Sequence, residues 1–87
     1  MSLVFIPSQL QSYTGGVSRV PVAGATVEAV LNDLDRRFPG IKFRVIDEQD
    51  RVRPHMKIFV GRERTLDVRT PLTPAEDVLI FGALSGG

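Results

Sequence analysis

The stretch "GATVEAVLNDLDRRFPG", residues 24–40, restricts the fold more than any other part of this chain. Val27, Val30, Leu31, Leu34 and Phe38 recur at three- and four-residue spacings, which put them on one face of a helix. Glu28, Asn32, Asp33, Asp35, Arg36 and Arg37 fall elsewhere around it. Thr26 supplies an N-cap, Glu28 stands in the first turn where the helix dipole favours an anion, and Pro39-Gly40 stops the helix. A helix with one apolar stripe needs a second apolar surface to cover it. The remaining segments offer only short strand-like runs for that purpose.

Those runs are "LVFI" at 3–6, "VSRVPV" at 17–22, "MKIFVG" at 56–61, a weaker "ERTLDV" at 63–68, and "VLIF" at 78–81. Gly15-Gly16 supplies the positive φ that a reversal between the first two requires, and Gly61-Arg62 suits a tight turn between the third and fourth. "IKFRVIDEQDRVRP" at 41–54 is expected to make a short helical turn and then a polar loop. In "TPLTPAED", Thr73 and Glu76 have capping-box spacing with Pro74 at the first helical position, so one helical turn anchored by Leu72 is expected. Strand, strand, helix, strand, strand, strand within 87 residues describes an α+β domain with one helix on one sheet face. Alternation then puts Ile58, Val60, Val78 and Ile80 toward the helix and Lys57, Phe59, Leu79 and Phe81 on the opposite face. The three apolar members of that second set stand either as a partner-contact patch or as scattered exposed apolar residues of the ordinary kind.

Composition narrows what such a domain can do. A chain of this length buries about 60 to 65% of its unfolded surface, which leaves no interior for an enclosed active site. Eleven Lys and Arg balance ten Asp and Glu, so no field favouring nucleic acid arises. The absence of cysteine excludes disulfides, thiolate metal sites and cysteine nucleophiles, and a single histidine, His55, is expected on the surface rather than in a catalytic triad or metal site. "DEQD" at 47–50 lacks the EF-hand register, since Val52 and Ile58 stand at its sixth and twelfth positions, and is expected to be a solvated loop. Arg51, Arg53, Arg62, Arg64 and Arg69 are expected in surface salt bridges, with contact to an acidic partner as the second reading. Neither "TGG" nor "SGG" continues into a phosphate-binding loop. "MSLVFIP" is too short an apolar run for a signal peptide or a membrane span, so a cytoplasmic protein is expected.

The carboxyl end is left as the place for chemistry. Gly86-Gly87 gains nothing by packing, but a carboxylate on an unbranched glycine pair can be threaded through a narrow channel into another protein's active site. The expected division is a folded domain at 1–82 and a flexible tail at 83–87.

With "KIFVGRE", "TPLTPAEDVLIF" and the terminal "SGG", the chain resembles the ubiquitin-like β-grasp sulfur carriers, the family that includes the thiamin-pathway carrier and the small subunit of molybdopterin synthase. A more extensive resemblance, to the carriers that serve cysteine synthesis from O-phosphoserine, rests on "IPSQL", "YTGG", "GATVEAVLNDLDRRFPGI" and "ALSGG". Gly61 departs from the asparagine usual at its turn, and Gly82 from the proline common before the tail. The resemblance implies a five-stranded mixed sheet packed on one main helix.

It implies further a carrier that is no enzyme and binds no cofactor or metal of its own. An adenylyltransferase of the ubiquitin-activating kind would use ATP and magnesium to adenylate the Gly87 carboxylate, and a sulfur donor would convert it to a thiocarboxylate. A PLP-dependent cysteine synthase would accept the sulfur, and a metalloprotease would regenerate the tail. Gly86, Ser85, Leu84 and Ala83 would thread, and Phe81, Leu79, Phe59, Arg62 and Arg64 would meet the partner. Neither nucleic acid nor a membrane takes part. The alternatives are the small subunit of molybdopterin synthase, docked on its large subunit, another thiocarboxylate carrier (thiamin, thiolated tRNA or a secondary metabolite), and a ubiquitin-like modifier. Only Lys42 and Lys57 would be available for chain building in the modifier case. A plain β-grasp interaction module with an incidental glycine ending is the blandest reading.

Overall fold

The computed structural model describes residues 2–82. Strand β1 (Ser2–Phe5) leads through a 3-10 turn at Ser8–Leu10 and a series of turns to strand β2 (Arg19–Val22), which runs back antiparallel to it. Helix α1 (Val27–Arg37) and the short helix α2 (Lys42–Val45) follow. Strands β3 (Met56–Val60), β4 (Glu63–Thr65) and β5 (Val78–Gly82) complete a five-stranded sheet in the order β2-β1-β5-β3-β4. β5 lies parallel to β1 and antiparallel to β3, so the sheet is mixed and the last strand occupies its centre.

α1 forms where the periodicity puts it. The Thr26 side chain accepts from the Ala29 amide at 3.1 Å, satisfying one of the helix's orphan donors. At the other end the Phe38 amide donates to the Leu34 carbonyl, and Gly40 turns away with φ 97°. The Asp35 carboxylate accepts from the Gly40 and Lys42 amides at 3.0 and 3.1 Å, fixing the reversal into α2. Val27, Val30, Leu31 and Leu34 are fully buried against Val4, Val22, Ile58, Val78 and Ile80 in one cluster, closed at the edges by Ile41, Val45 and Ile46.

Three segments depart from expectation. Val17 is exposed and β2 begins only at Arg19, because Gly15 and Gly16 (φ 64° and 90°) prolong the reversal and the buried Thr14 hydroxyl binds the Val17 carbonyl at 2.7 Å. β4 stops at Thr65 instead of running to Val68, because the Thr65 hydroxyl accepts from the Asp67 amide and the Asp67 carboxylate accepts from the Arg69 amide, which bends the chain there. "TPLTPAED" makes a turn, not a helical turn. The Thr73 amide donates to the Glu76 carboxylate at 2.8 Å, half of a capping box, but Asp77 is already committed: its carboxylate accepts from the Leu3 amide and its carbonyl from the Gly61 amide, drawing the chain straight into β5. Leu72 is buried as expected.

Among the described residues the one carboxylate that the fold buries is Asp33 on α1, 7% exposed. It accepts from Arg36, from the Ala23 amide at 3.1 Å and from Arg37 at 3.2 Å, tying the helix to the segment after β2. The Arg36 hydrogen bond and then the Ala23 amide hold its carboxyl below the usual aspartate range. Asp67, bonded by the Arg69 side chain and amide, and Asp47, bonded chiefly by the Arg51 amide, are depressed in the same direction. A carboxylate whose folded pKa is lowered contributes stability that is present above the unfolded value near 4 and disappears as pH falls through the folded one. The urea midpoint is therefore expected to be flat above about pH 5 and to drop below about pH 4. Asp33→Asn should shrink that drop, and an acid limb as steep in the variant as in the parent would disprove the role given to Asp33.

Candidate functional site

The sheet face turned away from α1 is built by strand alternation and by register. Arg19 of β2 lies opposite Phe5 of β1, Phe5 beside Leu79 of β5, Leu79 opposite Phe59 of β3, and Phe59 opposite Arg64 of β4. One cross-strand row thus reads Arg19, Phe5, Leu79, Phe59, Arg64 over the full width of the sheet. Directly opposed residues of this kind sit about 5 Å apart, close enough to form a continuous surface. The neighbouring pair, Lys57 and Phe81, extends the row toward the carboxyl end. Phe59 and Phe81 meet edge to face, with ring centroids 5.6 Å apart and planes at 84°. Phe81 is 49% exposed, whereas Phe5, Phe59 and Leu79 are half-buried by their neighbours.

Alternation along the strands placed Phe59, Leu79 and Phe81 on this face. Phe5 and Arg19 belong to it equally. The period-two pattern of "LVFI", with Val4 and Ile6 inward, carries the signal for Phe5, but nothing local shows that β1 lies beside β5.

The arginines do not behave as a set. Arg51 and Arg69 pair with Asp47 and Asp67, and Arg53 donates to the Phe43 carbonyl at 2.6 Å. Arg62 and Arg64 were expected in salt bridges as well, yet they make none among the described residues, and neither do Arg19 and Lys57. The reason is position: Arg51 and Arg69 bend back onto aspartates two to four residues away, while Arg64 projects from an edge strand with Phe59 as its cross-strand neighbour. Arg62 follows Gly61 (φ 61°) at the tip of the β3–β4 turn and, with Arg64, Thr70 and Glu76, lines a shallow open groove. The outer face therefore has an apolar centre and, around it, cations that make no salt bridge among the described residues. An apolar core with a charged rim is the composition of a protein-docking surface.

The rest of the surface offers little competing chemistry. His55 is exposed, and the Asp47 carboxylate accepts from the Gln49 and Arg51 amides within its own loop. Among the described residues no group of three or more His, Cys, Asp or Glu is placed to hold a metal ion, and no helix is long and apolar enough to cross a membrane. β5 ends at Gly82, one residue beyond Phe81, so the outer face reaches to the residue that precedes 83–87. The expected threading residues Ala83, Leu84, Ser85 and Gly86, and the expected reacting residue Gly87, lie outside the described residues.

A mixed five-stranded sheet with its last strand in the centre, crossed on one face by a single main helix, is the ubiquitin-like β-grasp fold. The sulfur carrier protein CysO of Mycobacterium tuberculosis is 34% identical over 92 aligned positions, which cover 97% of this chain and 96% of that protein. The chain belongs to the CysO family of ubiquitin-like sulfur carrier proteins. A chain of the Amycolatopsis orientalis BexX/CysO complex superposes with a TM-score of 0.91 over 100% of both chains at 28% identity. SAMP1 from Haloferax volcanii shares the fold, with a TM-score of 0.76 and 23% identity over 99% of this chain and 98% of its own. No protein-family model matches the chain.

Proposed function

We propose that this protein carries sulfur as a thiocarboxylate on Gly87 and delivers it to cysteine biosynthesis. The observation that supports this most is the outer sheet face, where an apolar row, edged by cations that make no salt bridge among the described residues, lies beside Phe81, one residue before the end of β5 at Gly82. Such a surface lets a second protein grip the folded domain while the carboxylate reaches that protein's active site. The Amycolatopsis relative was solved in complex with BexX, which supports a carrier that works while docked on another protein.

The chemistry divides between carrier and partner. An adenylyltransferase binds ATP and magnesium; a Gly87 carboxylate oxygen attacks the α-phosphorus, pyrophosphate leaves, and the acyl group is held as a mixed anhydride with AMP. Hydrosulfide delivered by the sulfur donor then attacks the acyl carbon, the C–S bond forms, AMP departs, and loss of the S–H proton leaves the thiocarboxylate. The carrier binds no cofactor and contributes no general acid or base. Its residues supply the grip, through Phe81, Leu79, Phe59, Arg62 and Arg64, and the reach, through Ala83 to Gly86. A PLP-dependent cysteine synthase accepts the sulfur, and a metalloprotease restores the glycine pair.

Incubation with an adenylyltransferase, ATP, magnesium and a sulfur donor is expected to raise the intact mass by about 16 Da, the replacement of one oxygen by sulfur. The loaded carrier should then support cysteine formation by a PLP-dependent synthase. No mass gain with an enzyme shown active on another carrier would refute the reading. Stable co-purification with a large molybdopterin synthase subunit would move the product elsewhere.

A further inference from the structure

β1 pairs with β5 only at Val4 with Val78 and Phe5 with Leu79, and then departs through Pro7 into the turn at Ser8–Leu10. β5 runs on to Gly82, paired beyond Leu79 with β3 alone, through Ile80 with Ile58, Phe81 with Lys57 and Gly82 with Met56. Gln9 reaches the end of that strand. Its Nε2 donates to the Gly82 carbonyl at 2.7 Å across 73 positions of sequence. Gln9 is held where it stands: Leu10 beside it is buried, the Leu10 amide donates to the Pro7 carbonyl at 2.9 Å, and the Gln11 side chain donates to the Ile6 carbonyl at 3.1 Å.

Gly82 fits this contact closely. A Cβ there would lie 2.6 Å from Gln9 Nε2 and 3.1 Å from its Cδ. Gly82 is not among the glycines with positive φ, so its backbone would accept a side chain, and the three nearest atoms that side chain would meet all belong to Gln9. A glycine ordinarily loosens a chain, where a proline would stiffen it. Here the hydrogen bond restrains the position instead.

We propose that Gln9 and Gly82 form a clasp that sets the direction in which the chain leaves β5 toward Gly87, which makes Gln9 a positioning residue for activation of the terminal carboxylate; this rests on the carrier reading above. Restricting the exit direction before docking removes part of the ordering cost that binding the tail would otherwise carry, and that saving belongs to the binding step.

Two variants break the clasp from opposite sides. Gln9→Glu keeps the size of the side chain and removes its donor, and Gly82→Ala displaces the Gln9 amide. In each, the KM of the adenylyltransferase for the carrier is expected to rise about fivefold with kcat unchanged, the ratio governed by a hydrogen bond of ordinary net strength. The double variant should rise no further than either single one, because one contact is removed in all three. The NMR order parameter of the amide at position 82 should fall in both single variants while their thermal midpoints stay within a few degrees of the parent. Unchanged KM, a loss confined to kcat, or single effects that multiply in the double variant would overturn the clasp. If the parent chain is not adenylated at all, the carrier reading fails, and the Gly82 order parameters decide the clasp by themselves: a fall in Gln9→Glu upholds it and no change removes it.

Discussion

A chain lacking Gly86 and Gly87 is expected to gain no mass with adenylyltransferase, ATP and sulfur donor, and yet to inhibit activation of the intact chain by competing for the same enzyme. Both halves follow from the separation of grip and reach. In the proposed reading the reacting carbon belongs to Gly87, whereas the surface offered to the partner is the row Arg19, Phe5, Leu79, Phe59, Arg64 with Phe81 and Lys57 beside it, all of it within the folded sheet. Removing residues 86 and 87 takes away no member of that row.

Phe81→Asp introduced into the shortened chain tests the surface itself. Phe81 lies opposite Lys57, so the new carboxylate has a cation beside it and an exposed site to occupy, and the fold should be retained. On docking, that charge would enter an apolar contact, and inhibition is expected to weaken by about 30-fold or more, the scale of a central aromatic anchor. A shortened chain that does not compete, or a Phe81→Asp form that competes equally well, would show that the partner grips some other face.

Leu31→Ala carries the second large effect, this time on stability. Leu31 is fully buried in the middle of α1, where the helix's apolar stripe meets the inner sheet face. Truncation removes the transfer free energy of the lost groups and leaves a cavity, together about 2–5 kcal/mol. Against a total of about 5–15 kcal/mol for a domain, and nearer the low end for one this small, that is a large share. With a urea slope of about 1 kcal/mol per molar, the midpoint should fall by about 2 M or more. Phe81→Ala, on the exposed outer face, is expected to shift it by no more than about 0.5 M. Equal shifts for the two variants would contradict the assignment of inner and outer faces.

The accuracy of the sequence-level expectations follows the range of the interactions involved. Thr26 as a cap, the stripe from Val27 to Leu34 and the stop at Gly40 rest on contacts within four residues, and each appears in the fold. The glycines at 15, 16 and 61 adopt the positive φ expected of them. The alternating exposure of Met56–Val60 and Val78–Phe81 also holds. Errors arise where a local signal competes with a tertiary one. The capping-box spacing of Thr73 and Glu76 is real, and its hydrogen bond forms, but Asp77 is held by Leu3 and Gly61 and no helix can propagate. Arg62 and Arg64 look the same in sequence as Arg51 and Arg69, but make no salt bridge among the described residues, although Glu63 and Glu76 line the same groove.

By itself the sequence determined one amphipathic helix, the run of short strands around it, most of the turns, and the face that each residue of the central strands takes. These are properties of spacing and of single side chains. The tertiary structure alone decided which strands are neighbours. Alternation says which way a side chain points but not which strand lies beside it, so the parallel pairing of β1 with β5, the row from Arg19 to Arg64 and the bond from Gln9 to Gly82 exist only once residues more than 70 positions apart have been brought together by burial of a shared core.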